Sequence, residues 1–184
     1  MKLSDQVIAE KVSEGLIIIY PFFDKEQLRP VGYRIHLGDE IVVYEPDQVI
    51  DIQSNQEPKH KKISIADQSY LLKPGAFILA KTKEKIRTDP SILCQLDGRS
   101  TIARLGLTIH NTSQIADGTH SEAHSIILEI TNHSNISYLL KSGIPIGCIT
   151  FELLMKPSTI KASQNNDIIQ IIPKKIKCLG LIKK

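Results

Sequence analysis

The stretch Asp97-Gly98-Arg99-Ser100-Thr101-Ile102-Ala103-Arg104-Leu105-Gly106-Leu107 decides how the rest of the chain is read. Gly98 frees the backbone for a sharp turn, and residues 100–105 follow as a short helix. Outward from it, the sequence breaks into short runs rich in Ile, Leu and Val. They cover residues 16–20, 33–37, 41–44, 49–52, 62–65, 76–82, 107–111, 125–131, 137–140 and 146–153, with Pro, Gly, Asn and Asp between them. So many short apolar segments at this spacing predict an antiparallel sandwich or barrel, a mainly β fold. One further helix is expected at the start. Ser4 can cap it, Asp5 suits its positive end, and Leu3 with Ile8 can staple it. Val7, Ile8 and Val12 give it a buried stripe, and Gly15 ends it. Residues 53–62 are polar and charged and read as an exposed loop.

Length and composition bound the possibilities. The 184 residues suit one domain with a real core, expected over 1–160, followed by a lysine-rich tail over 161–184. A hydrophobic fraction of 41% and a charged fraction of 23% are ordinary for a soluble globular protein. The net charge of +3 suits a polyphosphate ligand and is too small to argue for nucleic acid. No apolar run approaches the roughly 18 residues of a membrane span. Met1-Lys2-Leu3-Ser4-Asp5 has no signal-peptide pattern. Cys94, Cys148 and Cys178 are odd in number and far apart, which suggests neither a disulfide framework nor a thiolate zinc site. A reducing cytoplasm is the expected home.

Two segments carry chemistry. In the first, Ser100 and Thr101 offer hydroxyls at the start of a helical turn, whose unpaired amides face outward. Arg99 and Arg104 add fixed charge with forked geometry suited to phosphate oxygens. Read on physics alone, a Ser-capped helix with two solvent-facing arginines is an equal alternative. The second segment is Ile126-Ile127-Leu128-Glu129-Ile130-Thr131-Asn132, where one carboxylate interrupts an apolar strand. Glu129 is either an edge residue reaching solvent or Arg104, or a proton shuttle in a desolvated pocket.

Gly98-Arg99-Ser100-Thr101 with Ala103-Arg104-Leu105-Gly106-Leu107, and the lead-in Pro90-Ser91-Ile92-Leu93-Cys94-Gln95-Leu96-Asp97, resemble the dCTP deaminase branch of the dUTPase-like family. The opening Leu3-Ser4-Asp5 and the Tyr33…Leu37-Gly38 pair are further matches, and the likeness spans residues 1 to about 155. The resemblance implies a distorted β-barrel or sandwich with an N-terminal helix and one short internal helix. It also implies a homotrimer with sites at subunit interfaces. The implied reaction is zinc-independent hydrolysis of dCTP to dUTP and ammonia. The zinc-dependent nucleobase deaminases need a His/Cys/Cys site and a Pro-Cys-x-x-Cys stretch, which this sequence lacks.

Carried over, Glu129 shuttles protons, Ser100 helps hold the water, and Arg104 orients glutamate and base. Arg99, Ser100 and Thr101 bind phosphates, within a substrate-binding stretch that includes Ile102 and Ala103. Ile127 and Leu128 lie where the strand backbone meets the pyrimidine edge. Asp117 matches the acid that contacts the deoxyribose 3′-hydroxyl. Mg²⁺ is expected on the triphosphate oxygens, with no dedicated protein cage.

The sequence departs from the family in three places. Between residues 111 and 124 there are extra residues, and no aromatic follows Gly118. His120 and His124 flank Glu122 there, and read as loop histidines rather than metal ligands. Arg34 stands where the family favours an Asp after the Tyr, reversing the charge. In the tail, Ala162 falls near an expected Tyr of the C-terminal lid, and Lys161, Lys174 and Lys175 can replace that lid only electrostatically. Two rival readings accompany the deaminase: triphosphate hydrolysis, alone or after deamination to give dUMP, and a non-catalytic nucleotide-binding homologue.

Overall fold

Alternating burial along β3 (Gly32–Tyr44) organises the sheet: Tyr33, Ile35, Leu37 and Ile41 are all buried. In the computed structural model, which describes residues 1–51, 56–120 and 122–160, the first half of β3 pairs with β11 (Pro145–Leu153). Its second half pairs with β4 (His60–Ser64) and β6 (Phe77–Thr88). Beyond β11 lies β7 (Ile92–Gly98), and beyond β6 come β9 (His124–Asn132) and β8 (Leu107–Thr108). The order β7-β11-β3-β6-β9-β8 makes a nearly closed, barrel-like antiparallel sheet. To it β1 (Ile17–Tyr20) adds on β6, and β2 (Leu28–Arg29) on β3. A separate ribbon joins β5 (Tyr70–Leu72) to β10 (Tyr138–Leu140).

Two α-helices complete the described residues, as the sequence predicts. In α1 (Asp5–Ser13) the Ser4 hydroxyl accepts the Val7 N–H at 3.5 Å, and Gly15 turns the chain with φ +72°. Ile8 is fully buried, and Val7 and Val12 pack on the same core. Burying each such side chain contributes about 1.5–3 kcal/mol. The internal helix α2 (Ser100–Ala103) is shorter than the 100–105 expected. No described helix is long and apolar enough to cross a membrane.

Several strand boundaries differ from expectation. Residues 33–37 and 41–44 are one strand with an irregular register between Leu37 and Ile41. The 76–82 segment continues to Thr88, paired with β1 and β9, although Thr82, Glu84 and Thr88 occupy inward positions, each with a partner. The Thr82 hydroxyl donates to the Glu84 carbonyl at 2.7 Å and accepts the Ile126 N–H. Glu84 takes the His36 N–H at 2.9 Å and the His36 ring at 2.6 Å, and Thr88 bonds Thr119 at 2.8 Å. Satisfied this way, buried polar groups cost little, but they erase the apolar signature of a strand.

The 107–111 segment stops pairing as a strand at Thr108, and 62–65 becomes His60–Ser64, which shortens the expected 53–62 loop. Val49–Asp51 forms no strand, and Val49 is exposed; Ile52 and residues 53–55 lie outside the described residues. The pairings of β2, β5 and β10 were not legible beyond the apolar run at 137–140. The expected tail or lid over 161–184, with Lys161, Ala162, Lys174 and Lys175, also lies outside the described residues.

Candidate active site

The turn at 98–106 is fixed at both ends. Arg99 enters α2 with extended backbone, φ −87° and ψ 129°, and Ile102 packs against the core. That anchor leaves Ser100, Thr101, Ala103 and Arg104 facing solvent. At the far end Gly106 turns with φ +76°, where a side chain would meet Ser134. The Tyr138 hydroxyl donates to the Leu105 carbonyl and the His133 N–H to the Gly106 carbonyl, each at 2.8 Å. Asn132 is buried and ties this corner to the ribbon through Leu72 and Ile136.

A cavity of about 350 Å³ opens beside this turn, lined by Arg29, Arg34, Arg99, Ser100, Thr101 and Cys148 among others. Strand pairing places Arg34 opposite Cys148 and Cys148 opposite Asp97, one row across β3, β11 and β7. Burial and then the Asp97 charge push the Cys148 thiol up, against the smaller opposing effects of a Tyr33 backbone hydrogen bond, Arg29 and Arg34. The Arg99 guanidinium reaches the Pro145 carbonyl at 3.4 Å. Among the described residues no carboxylate pairs with Arg29, Arg34, Arg99 or Arg104.

Glu129 is placed quite differently. It is half-buried on the outward face of β9, opposite Leu79 of β6, while Ile126, Leu128 and Ile130 point into the core. That outward face carries a second apolar cluster, with Val42 and Leu79 buried and Tyr44, Phe77 and Ile127 packed around them. Burial, and then the negative charge of Glu129, push the Tyr44 phenol up. The Glu129 carboxylate accepts the Asn111 N–H at 2.9 Å, and the Asn111 amide oxygen accepts the Thr131 hydroxyl at 3.2 Å. The chain leaves β8 just before this contact, and the Glu129 N–H still bonds the Ile109 carbonyl.

The predicted residues therefore fall into two groups. Arg99, Ser100 and Thr101 share the cavity. Arg104 is exposed at the end of α2, outside the cavity lining and without an ion pair to Glu129 within the chain. Asp117 is exposed and opens a 3₁₀ turn at Asp117–His120. The side chain of Leu128 is wholly buried, whereas Ile127 is half-buried outside. Because the Glu129 N–H bonds toward β8, strand alternation points the Ile127 backbone groups the same way, past the end of β8. The backbone groups of Leu128 instead face β6.

Comparison with known proteins sets this arrangement in a family. A family model described as dCTP deaminase-like matches residues 2–154. The chain belongs to the dCTP deaminase-like family. The dCTP deaminase of Buchnera aphidicola subsp. Schizaphis graminum is 34% identical over 169 residues, covering 85% of this chain and 86% of that protein. A dUMP-forming dCTP deaminase of Methanospirillum hungatei is 34% identical over 152 residues, covering 82% and 80%. Among solved structures, the 2′-deoxycytidine 5′-triphosphate deaminase of Agrobacterium tumefaciens shares the fold, with a TM-score of 0.62 at 13% identity. That alignment covers 83% of this chain, which spans about half (48%) of the length of the other.

Sequence reasoning missed three residues of this candidate site. Arg29 and Arg34 enter the cavity from β2 and β3. Only the charge reversal at Arg34 gave any signal. Asn111 holds the Glu129 carboxylate through a backbone N–H, which no residue-type pattern can reveal. The two histidines do not lie in a loop as expected: His120 closes the 3₁₀ turn with its ring on the Ile92 carbonyl, and His124 opens β9 with its ring on the Glu122 carbonyl, both at 3.1 Å. Among the described residues no group of three His, Cys, Asp or Glu gathers to hold a metal.

Proposed function

We propose that this protein is a dCTP deaminase that converts dCTP and water to dUTP and ammonia. The observation that carries this reading is the family match over residues 2–154, with relatives named dCTP deaminase at 34% identity over most of both chains. Glu129 takes a proton from the attacking water and delivers it to N3; it then takes the proton of the resulting C4 hydroxyl and passes it to the amine, so that the C4 carbonyl forms as ammonia leaves. Its setting beside an apolar cluster, with Asn111 holding one carboxylate oxygen, supports that role. The backbone edge of Ile127 reads the pyrimidine, and Asp117 meets the sugar. Arg99, Ser100 and Thr101 bind phosphates, Ser100 also helps hold the water, and Arg104 orients acid and base.

Among the described residues of one chain, neither the cavity lining nor a hydrogen bond joins Glu129 to Ser100. The proposed active unit is the homotrimer that the family resemblance implies, in which one protomer's cavity meets its neighbour's Glu129. Oligomers of this symmetry repeat the same junction at every interface. Magnesium in this reading travels on the triphosphate: the cavity lining offers guanidinium and hydroxyl groups and no carboxylate, so phosphate oxygens and water supply its ligands.

Incubation with dCTP and Mg²⁺, followed by nucleotide chromatography and an ammonia assay, tests the proposal. Equimolar dUTP and ammonia support it. Unchanged dCTP after hours, despite thermal stabilisation by dCTP, points to a binding module instead. The dUMP-forming relative at 34% identity favours one second reading, deamination followed by pyrophosphate release. Appearance of dUMP and pyrophosphate selects it.

A further inference from the structure

We propose that Arg34 and Arg29, together with Arg99, form a three-arginine grip on the polyphosphate tail, and that these two additional arginines set the preference for a triphosphate over shorter phosphates. This inference deepens the proposed function by assigning residues that the phosphate motif does not contain.

Three observations carry it. The guanidinium-bearing residues converge on one cavity from three separate elements, β2, β3 and the start of α2. None of them has a carboxylate partner among the described residues. The nearest acid in the strand row, Asp97, spends one oxygen on the Gly98 N–H at 2.7 Å and stands two strands from Arg34, with Cys148 between them.

Like charges without an ion-pair partner repel, and a fold that gathers three around about 350 Å³ gains when a polyanion enters. Hydroxyls of Ser100 and Thr101 on the same wall supply neutral donors. Guanidinium is the group suited to phosphate oxygens, since its planar fork binds two at once and stays charged at any working pH. A single phosphate can satisfy Arg99 and the two hydroxyls. Only a longer tail brings enough negative charge and reach to engage Arg29 and Arg34 as well. Arg34 thus adds a phosphate ligand from outside the 98–104 motif.

Isothermal titration of the full chain with dCTP, dCMP and inorganic tripolyphosphate tests the grip, using Arg34→Ala, Arg29→Ala and Arg34→Lys. Losing a charged hydrogen-bond pair predicts about ten- to a hundredfold weaker dCTP and tripolyphosphate binding in Arg34→Ala. Binding of dCMP should change by less than about threefold, because its one phosphate stays with Arg99. Arg34→Lys should recover part of the loss, since charge returns without the fork. Circular dichroism and melting curves confirm that each variant is folded. If Arg34→Ala and Arg29→Ala both bind tripolyphosphate as the unmodified chain does, the grip is wrong. Equal loss for dCTP and dCMP also overturns the triphosphate preference. Tripolyphosphate separates this inference from the proposed reaction: a chain that grips it through Arg34 but never deaminates dCTP keeps the cavity assignment and loses the enzyme.

Discussion

The two halves of the candidate site obey opposite design rules. The cavity beside α2 is open, cationic and built at strand ends, from residues that meet only because β2, β3, β7 and β11 come together. Glu129 sits mid-strand on a β9 face crowded with apolar side chains, held by one backbone N–H. An anion-binding surface can stay wet, because forked charge–charge hydrogen bonds survive partial solvation. A proton shuttle needs the opposite, a dry wall on one side and one fixed partner. In the proposed trimer, where the two halves stand apart on one chain and join across an interface, each keeps its own environment.

The largest expected effect breaks the acid half. Glu129→Gln keeps the shape and the acceptor for Asn111 but cannot cycle protons, so kcat should fall by roughly 10²–10⁴-fold. Titration calorimetry should still detect dCTP binding; normal turnover would remove Glu129 from the chemistry. Mixing the halves comes next. Refolding Glu129→Gln with Ser100→Ala at equal amounts should regenerate roughly a quarter of unmodified activity if cavity and acid come from neighbouring protomers. No recovery would mean that each chain builds its own site.

On the cavity side, Arg99→Ala should raise KM for dCTP by about ten- to a hundredfold with kcat nearly preserved, as steady-state kinetics will show. A drop confined to kcat would contradict its role as a phosphate ligand. Within β9 the two faces should separate cleanly in urea melts. Leu128→Ala, in the core, should cost about 2–5 kcal/mol, and Ile127→Ala, on the outer cluster, about 1 kcal/mol or less.

A separate effect, visible only at alkaline pH, concerns β7, which leads into the cavity. Burial pushes the Cys94 thiol from 9.0 up to about 12. A raised thiol stays neutral in the folded chain while the unfolded chain ionises. Stability from this group is therefore complete below about pH 9 and is lost as pH climbs toward 12. Urea melts of the unmodified chain and Cys94→Ala should converge between pH 8 and pH 10.5 by about 2 kcal/mol. Parallel curves would mean that water reaches the thiol.

Much of this molecule was readable from residue order. Ser4 through Gly15 spells a capped amphipathic helix, and it forms at Asp5–Ser13. Period-two apolar runs gave most strands, because a sheet with one face in the core leaves that imprint. The second half of β6 left no such imprint, since Thr82, Glu84 and Thr88 fill its inward positions with hydrogen-bonded polar groups. Local pattern also located the motif at 98–104 and the odd carboxylate at 129, both defined by neighbours in sequence.

What order along the chain could not give is who meets whom across it. Arg29 and Arg34 join Arg99 only because β2 pairs with β3, and β3 and β7 both pair with β11. Asn111 reaches Glu129 only because β8 ends early and its chain bends over β9. Such contacts depend on strand register and on where pairing stops, which packing of the whole barrel sets. Residue types fixed the chemistry available, and tertiary pairing decided which groups act together.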